Sequence, residues 1–306
     1  MMEERTLITA GNTNLHVRIW RAAEPKAVIL LSHGMTEHSA RYDRFGQYLA
    51  ERGISLYCPD QRGHGKTAEG KQMGHLHKGI DWSLMANDLF SIKKKMIDAE
   101  VNCPVFLMGH SMGSFLVRCA VQMRRDMFDG LIVSGTADGQ GAVGKAAVKI
   151  ADVACKMAGE KKYSPKIQSM MFGSYNKEIP GAKTEYDWLT RDEDEVARYM
   201  ADPYCGYVCT NGFYHELLAG IQQANDPANI AKMNKKMPVY IFSGDKDPVG
   251  NYGKGVQQVE KLFINAGMED VTTTLYTGGR HEMLNETNRD EVMADVVDWV
   301  IAHAEV

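Results

Sequence analysis

Short apolar runs recur along the chain, separated by stretches with helical spacing. The later runs are nearly continuous rather than alternating, which is typical of strands covered on both faces of a sheet. We predict strands at residues 15–20, 27–32, 54–58, 105–108, 131–134, 239–243 and 272–276. The polar turn at residues 11–14, just before the first of these runs, indicates an antiparallel hairpin at one sheet edge.

Between these runs, apolar residues recur every three or four positions, as they do on one face of a helix. The clearest sets are Tyr42-Phe45-Leu49, Met85-Leu89-Ile92-Met96, Val256-Val259-Phe263 and Val292-Val296-Trp299. Strands that alternate with amphipathic helices predict an α/β fold, with a mostly parallel central sheet flanked by helices.

One connection is too long for an ordinary crossover. Residues 135–237 contain no clear core strand, but they show helical patterns at 142–158, 192–199 and 212–224. We interpret residues 135–237 as a helical cap, or lid, inserted over the sheet. Residues 1–134 and 238–306 would then form the core.

Composition narrows the class of protein. The chain has 306 residues, 44% of them hydrophobic, and a net charge of −4. This is enough for a sizeable core, and without a basic stripe nucleic acid is not an expected partner. The N-terminal residues MMEERTLITAG have no apolar signal region, and no apolar run approaches the ~20 residues of a membrane-spanning helix. We expect a soluble, cytoplasmic protein.

The six cysteines are expected to be reduced thiols, because nothing in the sequence indicates export. Cys205 and Cys209 are close enough to suggest a metal site. No second pair of Cys or His residues accompanies them at ligand spacing, so we do not expect zinc there.

The stretch FLMGHSMGSFL, residues 106–116, contains a G-x-S-x-G sequence. It joins a predicted strand to a predicted helix, and Gly109 and Gly113 permit a tight turn between the two. Such a turn exposes the hydroxyl of Ser111 above a helix N-terminus, where unpaired N–H groups favour negative charge. Ser111 is therefore our candidate nucleophile.

A serine hydroxyl needs a base within hydrogen-bonding reach, and the base needs an acid that orients it. His281 is the candidate base, since it follows a strand and two glycines and precedes the last helix. Asp247, in the turn after a buried strand, is the favoured acid. Asp245, nearer the strand end, and Asp138, after the preceding strand, remain alternatives.

The reaction also needs fixed N–H donors for a negative oxygen. The backbone N–H of Met112, the residue after the nucleophile, is one candidate. The second is the N–H of Met35, in the loop after an early strand, and His33 is expected to brace that loop.

With these parts in place, the sequence resembles the monoacylglycerol lipase and lysophospholipase-like branch of the α/β-hydrolases, which has a serine aminopeptidase-type fold. The similarity covers most of the chain and rests on HGMTEHSARY (33–42), DQRGHGKT (60–67), GHSMGS (109–114), GDKDPVG (244–250) and GGRHEMLNE (278–286). The resemblance implies the α/β-hydrolase fold, with Ser111 as nucleophile, Asp247 as acid and His281 as base. Met35 and Met112 are the implied oxyanion donors.

The resemblance also implies supporting residues. Glu37 and Arg41 match a pair near the oxyanion loop, which they either brace or merely border as an (i, i+4) ion pair. Further supporting residues are expected at His33, Asp60, Arg62, His64 and His110.

The implied activity is hydrolysis of monoacyl lipids or medium-chain acyl esters through an acyl-enzyme, with no metal or organic cofactor. The cap contributes flexible thioethers that either suit variable acyl chains or fill core gaps: Met157, Met170, Met171 and Met200. Transient contact of the cap with a lipid surface is left open, since no strongly basic amphipathic helix in the sequence supports it, and so is the oligomeric state.

Three alternatives remain open at the sequence level. A peptidase of the proline-aminopeptidase type would need cap acids for a substrate ammonium, and the candidates are Glu185, Glu193, Glu195 and Glu216. A second alternative is another reaction on the same scaffold, such as acyl transfer or C–C bond hydrolysis. The third is a non-catalytic small-molecule receptor, which the apparently complete set of Ser111, Asp247 and His281 disfavours.

Overall fold

The centre of the molecule is one mixed β-sheet. The structure, a computed structural model, describes residues 2–304, so Met1 and residues 305–306 of the predicted core lie outside the described residues. Within that range the sheet has eight strands. They are β1 (Met2–Thr9), β2 (Thr13–Trp20), β3 (Ala27–Ser32), β4 (Ile54–Pro59), β5 (Val105–His110), β6 (Gly130–Ser134), β7 (Val239–Gly244) and β8 (Val271–Tyr276).

The strand order is β1-β2-β4-β3-β5-β6-β7-β8. β2 pairs antiparallel with both β1 and β4, and every later pair in the sheet is parallel. The predicted mostly parallel sheet and the edge hairpin are thus confirmed. The hairpin loop consists of three residues between the paired Thr9 and Thr13, and Gly11 and Asn12 in it adopt positive φ.

Helices cover both faces of the sheet. They are α1 (Asp43–Ala50), α2 (Asp81–Ile92), α3 (Met112–Met123), α4 (Gly141–Ala158), α5 (Pro165–Phe172), α6 (Glu193–Ala201), α7 (Asn211–Ala224), α8 (Pro227–Ile230), α9 (Lys254–Asn265) and α10 (Arg289–Ala304). Alternate residues of a strand face opposite sides, so Ile29 belongs to the same apolar layer as α1 and α10, whereas Leu30 belongs to the layer that contains α2, α3 and α9. Two apolar layers therefore sandwich the sheet.

Helices α4 to α8 lie between β6 and β7, in the region predicted as the cap. α5 was not predicted, because its sequence PKIQSMMF has only eight residues, too few for a helical period to stand out. α7 packs closely on the core: a Cβ at Gly220 would lie 2.2 Å from the Trp82 ring of α2. Glu216 also accepts hydrogen bonds from the N–H groups of Gly79 and Trp82, at 2.6 and 3.0 Å. We use "cap" for residues 135–237, and these boundaries stay a prediction.

A buried arginine joins the two ends of the cap to the core. Arg118 of α3 is fully buried, and its guanidinium donates to the carbonyl oxygens of Ala137 and Ala224, at 3.2 and 3.1 Å. It also donates to Asn225 Oδ1 at 2.6 Å. Burial lowers the pKa of Arg118 to about 10. One guanidinium thus ties the start of the cap to the end of α7.

Across residues 2–304, no helix has both the length and the apolar character needed to cross a bilayer. All six cysteines are unpaired thiols, as expected from the sequence. The cytoplasmic location stays a prediction.

Candidate active site

The predicted reactive residues lie in loops that follow parallel strands. Met35 follows β3, Ser111 follows β5, Asp247 follows β7 and His281 follows β8. Because the carboxyl ends of parallel strands meet at one edge of a sheet, these loops come together. Met35, Ser111 and His281 line one cleft between the sheet edge and the cap.

Ser111 stands on a strained turn between β5 and α3, with φ +52° and ψ −119°. Residues with a Cβ rarely adopt this conformation, and such strain is concentrated at functional sites. A Cβ on Gly109 would lie 2.3 Å from the carbonyl oxygen of Gly113. A Cβ on Gly113 would lie 2.0 Å from the carbonyl oxygen of Ser32. Both glycines are therefore required by the close approach of α3 to the sheet.

Asp247 and His281 form a buried pair. The Nδ1 atom of His281 lies 3.0 Å from Oδ2 of Asp247, and the two residues are 2% and 0% exposed, respectively. Asp247 also accepts hydrogen bonds from Ser243 Oγ at 2.8 Å and from the N–H of Val249 at 2.9 Å. These contacts fix the carboxylate and leave Nε2 as the free nitrogen of His281.

The two members of this pair shift each other's pKa. Burial raises the pKa of Asp247, but the charge of His281 and the hydrogen bonds to the carboxylate outweigh burial and hold the pKa below its ordinary value. Burial lowers the pKa of His281, and the Asp247 carboxylate outweighs it, so this pKa lies above the ordinary value of 6.5. The pair thus favours protonated His281 whenever a proton is transferred to it.

The other two candidate acids do not contact His281. Asp245 accepts a hydrogen bond from the N–H of Gly278 at 2.7 Å, and Asp138 lies on the wall of the cleft. Among the residues described, Asp247 is the carboxylate hydrogen-bonded to the histidine ring. This geometry favours Asp247 over both alternatives.

The structure shows no hydrogen bond between Ser111 Oγ and His281, both of which are described residues. The two lie in the same cleft, and the ring of His110 packs 4.8 Å from that of His281. Catalytic hydrogen bonds are often long without substrate and tighten when it binds. Burial lowers the pKa of His110 to about 4, so this residue is neutral and supports the His281 ring.

The loop that carries Met35 is held from below by His33. Nδ1 of this buried ring donates to the carbonyl of Gly34 at 2.8 Å, and Nε2 accepts from the N–H of Gln61 at 3.0 Å. Burial lowers the pKa of His33, which agrees with a neutral ring that both donates and accepts. His33 thus links the loop to Gln61, and its role in bracing the site stays a prediction.

The same loop is held from above by the cap. Thr36 has φ +51°, an outlier for a β-branched residue. Tyr199, in α6, places its hydroxyl 3.0 Å from Thr36 Oγ1 and donates to the Thr36 carbonyl at 3.1 Å. The N–H of Gly206 reaches the same carbonyl at 3.1 Å. Sequence reasoning missed Tyr199, because nothing in the cap sequence marks it.

Glu37 and Arg41 form an (i, i+4) ion pair that also braces the site. Glu37 is buried and accepts from the N–H of Gly34 at 2.5 Å and from Arg41 at 2.9 Å. Arg41 donates in turn to both carboxylate oxygens of Glu282, the neighbour of His281, at 2.6 and 2.7 Å. Burial raises the pKa of Glu37, but Arg41 outweighs it and the pKa is about 2. The network joins the loop that carries Met35 to the loop that carries His281.

The motif at residues 60–67 lies outside the cleft. Asp60 accepts from the N–H groups of Ser39 and Lys66, both at 2.8 Å, and Arg62 pairs with Asp88 at 2.7 Å. His64 is buried, and its Nδ1 donates to the carbonyl of Arg62 at 2.9 Å. Asp60 thus contacts the segment after Met35 through Ser39, whereas Arg62 is bound to α2, and a supporting role for these residues stays a prediction.

The cleft has a volume of about 1450 Å³, above the ~300–1,000 Å³ usual for small-ligand pockets. Its apolar lining from the cap comprises Val143, Ala147, Ile150, Met170, Met171, Phe172, Trp188, Leu217, Leu218 and Ile221. Met157 and Met200 do not line it and are 84% and 53% exposed. Of the four cap methionines considered from the sequence, therefore, only Met170 and Met171 line the cleft.

Two further residues near His281 were not predicted. Trp188 packs its ring 5.1 Å from that of His281. Gly135, the first residue after β6, has φ +58°, and a Cβ there would lie 2.9 Å from Cε1 of His281. The position of Gly135 directly after a strand was a readable signal, whereas Trp188 lies in a cap segment with no motif.

The sequence model described as serine aminopeptidase, S33 (Hydrolase_4) matches residues 23–288 of this chain. The monoacylglycerol lipase of Mycolicibacterium smegmatis is 27% identical over 98% of this chain and 97% of its own length. The monoglyceride lipase of Homo sapiens is 25% identical over 96% of this chain and 89% of its own. A thermostable carboxyl esterase from Bacillus coagulans superposes with a TM-score of 0.92 at 25% identity, with 99% of each chain covered.

The family match spans most of the chain, and the fold and strand-end loops agree with it. The chain belongs to the serine aminopeptidase S33 family of α/β-hydrolases, in its monoacylglycerol lipase-like branch.

Proposed function

We propose that this protein is a serine hydrolase that cleaves carboxylic esters of monoacyl lipids or medium-chain acids through an acyl-enzyme. The observation that carries the proposal is the buried hydrogen bond between His281 and Asp247, with His281 lining the same largely apolar cleft as Ser111. The activities named for the lipase and esterase relatives support the same chemistry.

In the first half-reaction, Ser111 Oγ attacks the ester carbonyl while Nε2 of His281 takes the hydroxyl proton. Asp247 stabilises the resulting imidazolium through Nδ1. The N–H groups of Met35 and Met112 hold the oxyanion. Collapse of the tetrahedral intermediate breaks the C–O bond, and His281 returns the proton to the leaving alcohol.

In the second half-reaction, water attacks the acyl-enzyme. His281 removes a proton from the water, the same two N–H groups hold the second oxyanion, and the carboxylic acid leaves as Ser111 regains its proton. Every proton in this cycle passes through one imidazole, so the Asp247–His281 contact serves both halves.

The cleft supports a substrate with one acyl chain. Met170, Met171 and Phe172 of α5 and Ile221 of α7 form an apolar wall over the reactive serine. Unbranched thioethers adapt to chains of different length, and each buried CH₂ contributes about 0.8 kcal/mol. We therefore expect activity to rise with chain length until the cleft is filled.

Helix α4 supports contact with a lipid surface. Val143, Ile150 and Met157 recur every seven residues and are 69%, 47% and 84% exposed, so they share one exposed helix face, which continues from the cleft lining at Val143 and Ile150 to Met157 beyond it. Lysines 145, 149 and 156 are interspersed along the same helix. An apolar face flanked by lysines favours the interface of an anionic membrane.

The peptidase alternative receives less support, because three of the four candidate cap acids are engaged elsewhere. Glu216 caps α2, Glu195 pairs with Arg44 and Arg198, and Glu193 pairs with Lys183. Only Glu185 lines the cleft. A substrate ammonium would thus meet one carboxylate of this set.

The test is a panel of p-nitrophenyl esters from acetyl to long-chain, with monoacylglycerol, lysophosphatidylcholine and aminoacyl amides added. Ser111→Ala should abolish ester hydrolysis and labelling by a fluorophosphonate probe, whereas Ser169→Ala, on the cleft wall, should keep both. Faster cleavage of the amides would instead identify a peptidase. Ester products formed with added alcohols would identify an acyltransferase, and no turnover or labelling would leave a receptor.

A further inference from the structure

A cluster of metal-ligating side chains lies outside the cleft. His75 and His77 stand in the loop before α2, and Glu160 follows α4 of the cap. One ligand atom from each of the three lies within 4.8 Å of the other two. None of the three lines the cleft, so the catalytic chemistry does not account for the cluster.

The ring of His75 has one nitrogen in use and one without a partner. Nδ1 lies 3.1 Å from Thr210 Oγ1, while Nε2 is buried and has no hydrogen-bond partner. With the ring proton on Nδ1, Thr210 accepts it and the lone pair of Nε2 is available. Buried polar atoms normally have a partner, so this nitrogen calls for a ligand.

His77 and Glu160 already stand at ligand spacing. Nδ1 of His77 lies 3.1 Å from Oε1 of Glu160, and the other carboxylate oxygen accepts from the N–H of Lys78 at 3.2 Å. Bonds of ~2.0–2.2 Å to a tetrahedral metal place neighbouring donors ~3.3 Å apart. The second contact of Glu160 fixes the orientation of the carboxylate, as outer contacts do at established metal sites.

We propose that His75, His77 and Glu160 bind a zinc-type divalent cation, with water in the fourth position. Two imidazoles and a carboxylate match zinc, whereas calcium and magnesium prefer oxygen ligands alone. From the sequence alone, zinc was considered only at Cys205 and Cys209. The His-x-His spacing of His75 and His77 does not by itself predict a metal site, because the third ligand, Glu160, is 83 residues away from His77.

A second cluster, His38, Asp202 and Cys205, is a weaker candidate. Nε2 of His38 lies 2.9 Å from Asp202, as Nδ1 of His77 lies 3.1 Å from Glu160, so this contact does not separate the two clusters. Burial raises the pKa of the Cys205 thiol, which opposes the thiolate that a metal would need. A variant of this second cluster, Cys205→Ser, is therefore a suitable control for metal binding at the first.

The proposed metal would cross-link the end of α4 to the core. Backbone hydrogen bonds already join these segments, from Thr210 to Gly74 at 2.8 Å and from Gly212 to Glu160 at 2.9 Å. A cation held by residues of both would oppose separation of the cap from the loop before α2. Since it would bind only the folded chain, it would also raise the melting temperature.

The test uses the full-length protein after treatment with a chelator, titrated with Co²⁺ as a spectroscopic probe and then with Zn²⁺ as competitor. We expect one equivalent of Co²⁺ with the intense visible absorption of a four-coordinate site, its displacement by Zn²⁺, and a higher melting temperature with Zn²⁺. Glu160→Gln and His77→Ala, both at solvent-accessible positions, should weaken binding at least about 10-fold. Circular dichroism checks that both variants are folded.

Cys205→Ser is the matched variant and should bind Co²⁺ as the unaltered chain does. The proposal is overturned if the chelated protein binds no Co²⁺, or if Glu160→Gln and His77→Ala bind it with unchanged affinity. It is equally overturned if Cys205→Ser removes the signal, because the metal would then sit in the other cluster.

Discussion

The hydroxyl of Tyr199 lies 3.0 Å from the side-chain oxygen of Thr36 and 3.1 Å from its carbonyl oxygen. Thr36 follows Met35 directly and holds a left-handed backbone conformation that a β-branched residue avoids. A cap residue thus helps to fix the backbone beside the proposed oxyanion donor. Movement of α6 would therefore shift the backbone at Thr36, beside the N–H group that is proposed to stabilise the oxyanion.

Tyr199→Phe removes this hydroxyl and keeps the ring. We expect kcat/KM to fall about 10-fold for short and long esters alike, since one hydrogen bond is worth about 1–1.5 kcal/mol and the oxyanion is common to all of them. Tyr186→Phe is the control, because its hydroxyl donates to the Gly206 carbonyl at 3.1 Å and does not touch Thr36. Equal losses in both variants would assign the effect to general cap packing.

Asp247→Asn should lower kcat by a factor on the order of 10⁴ with little change in KM. The amide can donate to Nδ1, which turns the imidazole to the wrong tautomer for accepting the Ser111 proton. Asp245→Asn changes a carboxylate two residues away whose contact is the N–H of Gly278. It should stay within about threefold of the unaltered enzyme, and steady-state kinetics of the two variants against one ester decides which aspartate matters.

The pH profile of kcat/KM should show an acid limb with its midpoint above 6.5. His281 must be neutral to act as base, and the Asp247 carboxylate raises its pKa above that ordinary value, so activity is lost as pH falls through the raised pKa. In Asp247→Asn, burial lowers the pKa of His281 without the opposing charge of the carboxylate, so the midpoint of the acid limb should move to lower pH. An acid limb unmoved by Asp247→Asn would mean that another group controls it.

The same shift links His281 to stability with the opposite dependence on pH. Because its folded pKa is raised, the contribution is complete below pH 6.5 and is lost as pH rises through the folded value. Denaturant unfolding of Asp247→Asn and of the unaltered chain should thus differ more at pH 6 than at pH 9.

Gly135→Ala should disable the site while leaving the fold intact. The new Cβ would lie 2.9 Å from Cε1 of His281, and displacing a catalytic group by about 1 Å costs about 100-fold in kcat/KM. Gly141→Ala is matched, since Gly141 has φ +53° and nothing within 4 Å of an added Cβ. Both should lose about 1 kcal/mol of unfolding free energy, but only Gly135→Ala should lose most of the activity.

The core was predictable because its signals are local. A continuous apolar run predicts a buried strand, and β3, β5 and β7 begin where their runs begin. The position of Ser111 follows from the two glycines that a crowded turn demands. The parallel sheet then requires that loops after β7 and β8 lie near it, which is why Asp247 and His281 could be proposed.

The cap resisted prediction because its contacts depend on tertiary packing. Tyr199 acts through a hydroxyl that reaches a residue 163 positions away, and no spacing rule encodes that distance. Glu282 could be located beside His281, but its pairing with Arg41 spans 241 positions. Helix α5 has only eight residues, too few for a periodicity to reveal it.

Arg118 couples the nucleophile helix to the cap. Its guanidinium donates to the carbonyl oxygen of Ala137, near the start of the inserted segment, and to that of Ala224, at the end of α7. A replacement lid would therefore have to return two backbone oxygens to the same buried cation. It would also have to reproduce the contact of the Tyr199 hydroxyl with Thr36, because exchange of the segment would otherwise change catalysis together with specificity.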